Sequence, residues 1–187
     1  LVLCLLSGFA LAEVTAKGEL GASFASGNSE TESANAALEL GLTSGKWAHT
    51  LGLAGNYGSD NDVTTAQRWE VRGQSGYDLT DRTYWFGAGR YEDDRFSAYD
   101  FQATASTGLG YKFIDSERTK LWVQGGPGYR FAEFNQTGES EDSAIFRGDL
   151  GFDHQLTETT KIVERFLVET GSDNTYLQND LGLEVTI

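Results

Sequence analysis

The chain has 187 residues, one domain by length, with 28 acidic against 14 basic side chains and a formal net charge of -14. That balance excludes a nucleic-acid binder, which needs a basic face, and the absence of any run of about 18 apolar residues excludes a bundle of membrane helices. A mean hydropathy of -0.38 suits a soluble domain and a β-barrel alike, because a barrel carries its apolar face in alternate positions; one Pro and 23 Gly point to sheet joined by tight turns.

Residues 1–12 read as a partial signal peptide. The run is apolar apart from Ser7 and Gly8, and Ala10-Leu11-Ala12 fits the small-x-small cleavage pattern, giving Glu13 as the mature start. A basic n-region is expected ahead of Leu1. Cys4 is the single cysteine and leaves with the signal, so the mature chain has no disulfide, no thiol catalysis and no cysteine metal site. Residues 13–187 are then one β-barrel domain.

From Val14 the chain alternates with a period of two, which defines strands with two chemically different faces. Val14, Ala16, Leu20, Ala22 and Phe24 form the apolar phase of the first strand, against Lys17, Glu19 and Ser23. The hairpin over 34–57 is the clearest stretch. Ala34 to Leu42 alternate with Asn35, Glu39 and Thr43, a Ser44-Gly45-Lys46 turn follows, and Trp47, His49, Leu51, Leu53 and Tyr57 share the returning apolar phase. Trp47 and Tyr57 stand at the two ends of that phase. At about 3.3 Å per residue and a tilt near 45° their spacing covers roughly 23 Å, close to the apolar band of an outer-membrane barrel.

Later strands follow the same rule. Trp69, Val71, Tyr77 and Leu79 oppose Arg68, Glu70, Arg72, Gln74 and Asp78. Over 83–93 either Trp85 with Tyr91 or Tyr84 with Phe86 can face outward; the charges of Arg90, Glu92 and Asp94 place Trp85 and Tyr91 outside. Tyr99, Phe101, Leu109, Tyr111 and Phe113 oppose Asp100, Gln102, Thr104 and Lys112. Leu121, Val123, Tyr129 and Phe131 oppose Gln124 and Arg130, with Trp122 breaking the pattern. Phe146, Leu150 and Phe152 oppose Arg147, Asp149 and Asp153, while over 161–170 Val163 and Glu164 fit neither phase. Leu177, Leu181, Leu183 and Val185 close the series against Gln178, Asp180 and Glu184. The expected fold is an all-β, antiparallel, up-and-down transmembrane β-barrel of about ten strands. Turns at 44–46, 80–82, 115–118 and 157–159 are expected to be short, and connections at 26–31, 59–65, 93–97, 135–143 and 171–175 generally longer or more acidic, as periplasmic turns and outer loops differ in barrels.

Four motifs in chain order carry a family resemblance. Ser26-Gly27-Asn28-Ser29-Glu30-Thr31, Gly108-Leu109-Gly110-Tyr111, Gly126-Pro127-Gly128-Tyr129-Arg130 and Ser172-Asp173-Asn174-Thr175 resemble the blocks of the salt-induced outer membrane protein family, domain of unknown function 481. The resemblance runs from about residue 18 to the end. It implies a Gram-negative outer-membrane barrel of unestablished biochemical activity. Members continue further and barrels close on an aromatic residue, so one more hairpin beyond Ile187, for about twelve strands in the full-length protein, is expected.

Three sets of residues carry candidate chemistry. His49 and His154 fall in the lipid-facing phase near short turns. A lipid-modifying enzyme would need a Ser beside a His, and Thr50-Leu51 and Gln155-Leu156 follow these two; interfacial side chains without catalysis are the simpler reading. Asp60-Asn61-Asp62, Asp93-Asp94, Glu139-Ser140-Glu141-Asp142 and Asp173-Asn174 could hold divalent cations weakly against lipopolysaccharide phosphates, or serve as solvated turn residues. Arg68, Glu70, Arg72, Arg90, Glu92, Lys112, Arg130, Arg147 and Asp149, with Asp100 and Arg165, face the lumen, where charges must be paired or hydrated. A plugging ion-pair network and a narrow polar channel both satisfy that requirement. Trp47, Tyr57, Trp69, Tyr77, Trp85 and Tyr111 are the expected membrane-interface aromatics. The reading is a non-enzymatic structural or salt-stress-associated barrel with no cofactor and no resident metal, in contact with outer-membrane lipid and lipopolysaccharide. A narrow small-solute or ion pore, and then a lipid-modifying enzyme, are the alternatives.

Overall fold

In the computed structural model of the protein, residues 12–25, 30–172 and 175–185 are described. Of the segment read as a signal only Ala12 falls among them, and parts of the first and last family motifs lie outside. Ten strands follow one another: β1 (Ala12–Ala25), β2 (Thr31–Ser44), β3 (Trp47–Asp60), β4 (Val63–Asp78), β5 (Thr83–Asp94), β6 (Tyr99–Asp115), β7 (Thr119–Phe134), β8 (Ser140–Gln155), β9 (Thr160–Gly171) and β10 (Thr175–Val185). They form one sheet in strict chain order. The pairing of β1 with β2 is antiparallel and long, running from Ala12 opposite Ser44 to Ala25 opposite Thr31. The fold is all-β, up-and-down and antiparallel, and is consistent with a barrel. No helix of the described residues is long and apolar enough to cross a membrane.

The two phases read from the sequence become two faces of opposite character. Among the described residues, four buried side chains are hydrophobic (Tyr84, Phe86, Ala132, Ile145) and ten are polar or charged, including Glu70, Arg90, Glu92, Gln124, Arg130 and Glu169. Large apolar side chains are instead exposed along the other phase, among them Trp47, Leu51, Leu53 and Tyr57 on β3 and Phe131 on β7. A soluble domain buries its apolar face; this sheet buries its charged one. On the exposed face Trp69, Tyr91 and Phe101 build an aromatic ladder across β4, β5 and β6, with centroids 5.1 and 5.7 Å apart.

The strand over 83–93 resolves as expected, with Tyr84 and Phe86 buried and Trp85 exposed. Trp122 breaks its pattern because its ring turns to the buried face and lies over Gly151, where any Cβ would collide with it; Arg165 stacks on the same ring at 6.0 Å. Glu164 sits on the apolar face and meets Asn179 of β10, a polar pair that explains why β9 matched neither phase.

The connection lengths correct the sequence reading. The connection expected over 59–65 is two residues, Asn61 and Asp62, both at positive φ (48° and 62°), the signature of a tight hairpin turn. Among the connections whose residues are all described, those over 45–46 and 61–62 have two residues and that over 135–139 has five, so length alone does not separate the two expected classes. Loop length therefore gives no sidedness.

Packing divides the chain into two compact units. The first gathers residues up to Ser75 with Ala88–Ala105 and Arg130–Asp142, and the second Gly76–Gly87, Ser106–Tyr129 and Ser143–Ile187.

Candidate functional site

Each unit holds one polar network on the buried face, and each is built by strand alternation. In the first unit, Arg68, Glu70 and Arg72 lie two residues apart on β4, and so point the same way. Arg90 and Glu92 repeat the spacing on β5. Arg68 Nη2 donates to Glu70 Oε2 and to Glu92 Oε2, each at 3.0 Å. Arg90 Nη1 donates to Glu92 at 2.9 Å and stands 3.8 Å from Glu70. Arg72 reaches Glu70 at 3.5 Å and Glu39 of β2 at 3.4 Å, its stem lying over Gly52, where a Cβ would meet Arg72 Nε at 2.7 Å. Three guanidiniums thus share three carboxylates. Arg130, expected to join these pairs, does not: its side chain is buried, and none of its three guanidinium nitrogens has a hydrogen-bond partner among the described residues. That part of the sequence reading is corrected.

In the second unit the network alternates charge with neutral connectors. The Tyr84 hydroxyl, on β5, donates to Gln124 Oε1 of β7 at 3.0 Å, and Gln124 Nε2 donates to Asp149 Oδ2 of β8 at 3.1 Å. Arg147 grips Asp149 with two bonds, Nε to Oδ2 at 2.9 Å and Nη2 to Oδ1 at 2.8 Å, the fork geometry in which guanidinium and carboxylate bind most strongly. Its Nη1 reaches the fully buried Glu169 at 3.4 Å, and the pairing of β8 with β9 puts Arg147 opposite Glu169. At the other end Lys112 bonds both oxygens of Asp78, at 2.9 and 3.1 Å, with its ammonium 5.9 Å from the Tyr84 ring centroid. Tyr84 has this position because Gly110 leaves room under its ring. Arg165 pairs with Asp153 at 2.7 Å.

The sequence placed the basic members of both networks on the right face and missed Glu39, Asp78, Gln124 and Glu169 as partners. Their inward phase was the available signal. Which carboxylate meets which guanidinium depends on cross-strand register, which alternation does not specify.

The profile of the family described as "Protein of unknown function, DUF481" matches residues 18–187. The chain belongs to this family. It is also similar to "Uncharacterized protein YdiY" of Escherichia coli (strain K12), 26% identical over 175 residues that cover 91% of this chain and 68% of the relative. For this DUF481 chain the two networks and the inverted faces are the features from which a function must be argued.

The histidines of the apolar face carry a second arrangement. His49 Nδ1 is hydrogen-bonded to the Ser75 hydroxyl at 2.9 Å and stacks on Trp47, with centroids 5.6 Å apart and planes 9° from parallel. His154 Nδ1 is bonded to Thr119 Oγ1 at 2.9 Å and stacks on Phe152 at 6.2 Å and 4°. The sequence missed Ser75 as a partner because it is 26 residues from His49. The six aromatics expected at a membrane interface all lie on the outward phase: Trp47, Tyr57, Trp69, Trp85 and Tyr111 are exposed and Tyr77 is half-buried. Three acidic residues expected in loops lie at strand ends and are engaged, Asp94 accepting from the Phe96 N–H, Asp60 from Asn61 Nδ2 and Glu141 from the Tyr99 hydroxyl. Among the described residues no group of three or more His, Cys, Asp or Glu is placed to hold a metal ion.

Proposed function

We propose that this chain is an outer-membrane β-barrel of a Gram-negative bacterium, exported by a signal peptide, whose role is structural or stress-associated and not enzymatic. One observation carries the reading: the sheet buries charge and exposes its large apolar side chains. A contiguous apolar face of that kind is unfavourable in water and favourable against lipid chains, so lipid and lipopolysaccharide are the proposed neighbours of the exposed face. The buried face is then the lumen, and ion pairs fill rather than line it. In the second network every charged group named above has a partner, an arrangement suited to plugging. Barrels of this strand number leave little free cross-section, since eight strands are filled by side chains and aqueous channels belong to about sixteen.

A catalytic reading rests on the His49–Ser75 hydrogen bond. Its near-repeat at His154 with a threonine, each histidine stacked on an aromatic ring two residues earlier, favours interfacial anchoring over nucleophilic chemistry, which also requires a group to orient the base. Divalent cations held weakly at the acidic loops remain part of the proposal for lipopolysaccharide contact.

The test is reconstitution of the full-length protein into planar bilayers after refolding in detergent. The expected result is heat-modifiable gel migration with no steady single-channel conductance. A conductance that changes with lumen charge would establish the narrow-pore alternative instead. Hydrolysis of phospholipid that is lost in Ser75→Ala would overturn the non-enzymatic assignment.

A further inference from the structure

Arg130 stands out in its unit. A buried charge is destabilising unless it is paired, and the three carboxylates of the neighbouring network already serve Arg68, Arg72 and Arg90. The strand ladders show what stands beside Arg130 on its β6 side of the buried face. Arg95 N–H donates to Gln67 O and Leu79 N–H to Thr83 O, two rungs that set Arg90 opposite Arg72. Lys112 N–H donates to Arg82 O, which sets Arg90 opposite Thr104. Gly108 and Gly126 face each other so closely that a Cβ on either would lie 2.8 or 2.6 Å from the other's Cα, and the same ladder sets Thr104 opposite Arg130. On the far side Arg72 meets Glu39, which pairs in register with Lys17.

One row across β1 to β7 therefore reads Lys17, Glu39, Gly52, Arg72, Arg90, Thr104, Arg130: four cations and one acid, in a protein whose net charge is -14. Arg72 and Arg90 are paired with Glu70 and Glu92, whereas Arg130 meets no carboxylate among the described residues and its β6 neighbour Thr104 is small, buried and uncharged. We propose that Arg130 is the receptor of a small oxyanion, a carboxylate or phosphate group bound on the buried face. The guanidinium offers parallel N–H donors in a planar fork that matches both groups and does not match a spherical halide. The bound anion would supply the negative charge that the strands do not. The proposal concerns the buried face and holds whatever medium surrounds the exposed one.

The experiment measures thermal unfolding of the folded full-length chain, in detergent or in whichever medium it folds, against graded sodium phosphate and sodium acetate, with sodium chloride at matched ionic strength as reference. Wild type is expected to show a saturable rise in Tm in phosphate or acetate over chloride. Arg130→Lys should weaken the apparent affinity about tenfold or more, since charge remains and the fork is lost, and Arg130→Gln should abolish the rise. Arg118→Gln, on an exposed turn, should leave it intact. Equal rises in chloride, no rise in wild type, or a rise retained in Arg130→Gln would each overturn the proposal. Should Arg130→Gln fail to fold, titration calorimetry of phosphate into the wild type decides: a saturable heat that Arg130→Lys weakens supports the site, and no saturable heat overturns it.

Discussion

The two polar networks solve the same problem differently. The second runs through neutral connectors, Tyr84 and Gln124, to the doubly bonded Arg147–Asp149 pair and on to Glu169. Its central ions are nearly closed off, with Arg147 12%, Asp149 10% and Glu169 0% exposed. The first consists of bare charges sharing partners, and two of its guanidiniums, Arg68 at 35% and Arg72 at 46%, retain access to solvent. A network sealed from water requires every group to be matched, because low local polarity strengthens good pairs and penalises orphans equally. A partly solvated one tolerates redundancy. Arg130, buried beside the redundant network yet outside it, follows neither pattern, and for that reason it is the residue we assign to a ligand.

The comparison can be broken by removing a cation from each network. Arg147→Leu leaves Asp149 and Glu169 buried without their guanidinium and should lower unfolding free energy by about 3–5 kcal/mol in a denaturant titration. Arg68→Ala removes a partly solvated cation whose carboxylates keep Arg72 and Arg90. Its cost should be about 1 kcal/mol or less. Comparable losses in the two variants would show that both networks are equally sealed, and that the contrast drawn between them is wrong.

Much of this architecture was legible in the sequence. Ten strands and the faces of Trp47, Trp69, Trp85, Arg90, Arg147 and Asp149 follow from alternation, since a period of two is imposed by the pleat itself. The misses have physical causes. Trp122, an aromatic in the phase of Gln124 and Arg130, breaks the pattern until Gly151, 29 positions later in the chain, is known to lie beneath it. Glu164 has no sense on the apolar face until register brings Asn179 to it. The connection over 59–65 was overestimated because polar residues at 59, 60, 64 and 65 belong to the strands, and polarity alone does not end a ladder. At the candidate site, alternation assigned Arg130 to the buried face, but its lack of a carboxylate is a property of the register, not of its neighbours in the chain.

The central claim is that the charged face is the inside and the apolar face meets lipid, and the four tryptophans test it most directly. Trp47, Trp69 and Trp85 are exposed on the apolar face, while the Trp122 ring packs over Gly151 on the other. In single-tryptophan variants folded into vesicles of brominated-chain phospholipid, emission from Trp47, Trp69 and Trp85 should be strongly quenched and emission from Trp122 should not. Quenching of Trp122 to the same degree, or a protein that remains in the aqueous phase with all four tryptophans unquenched, would contradict the account.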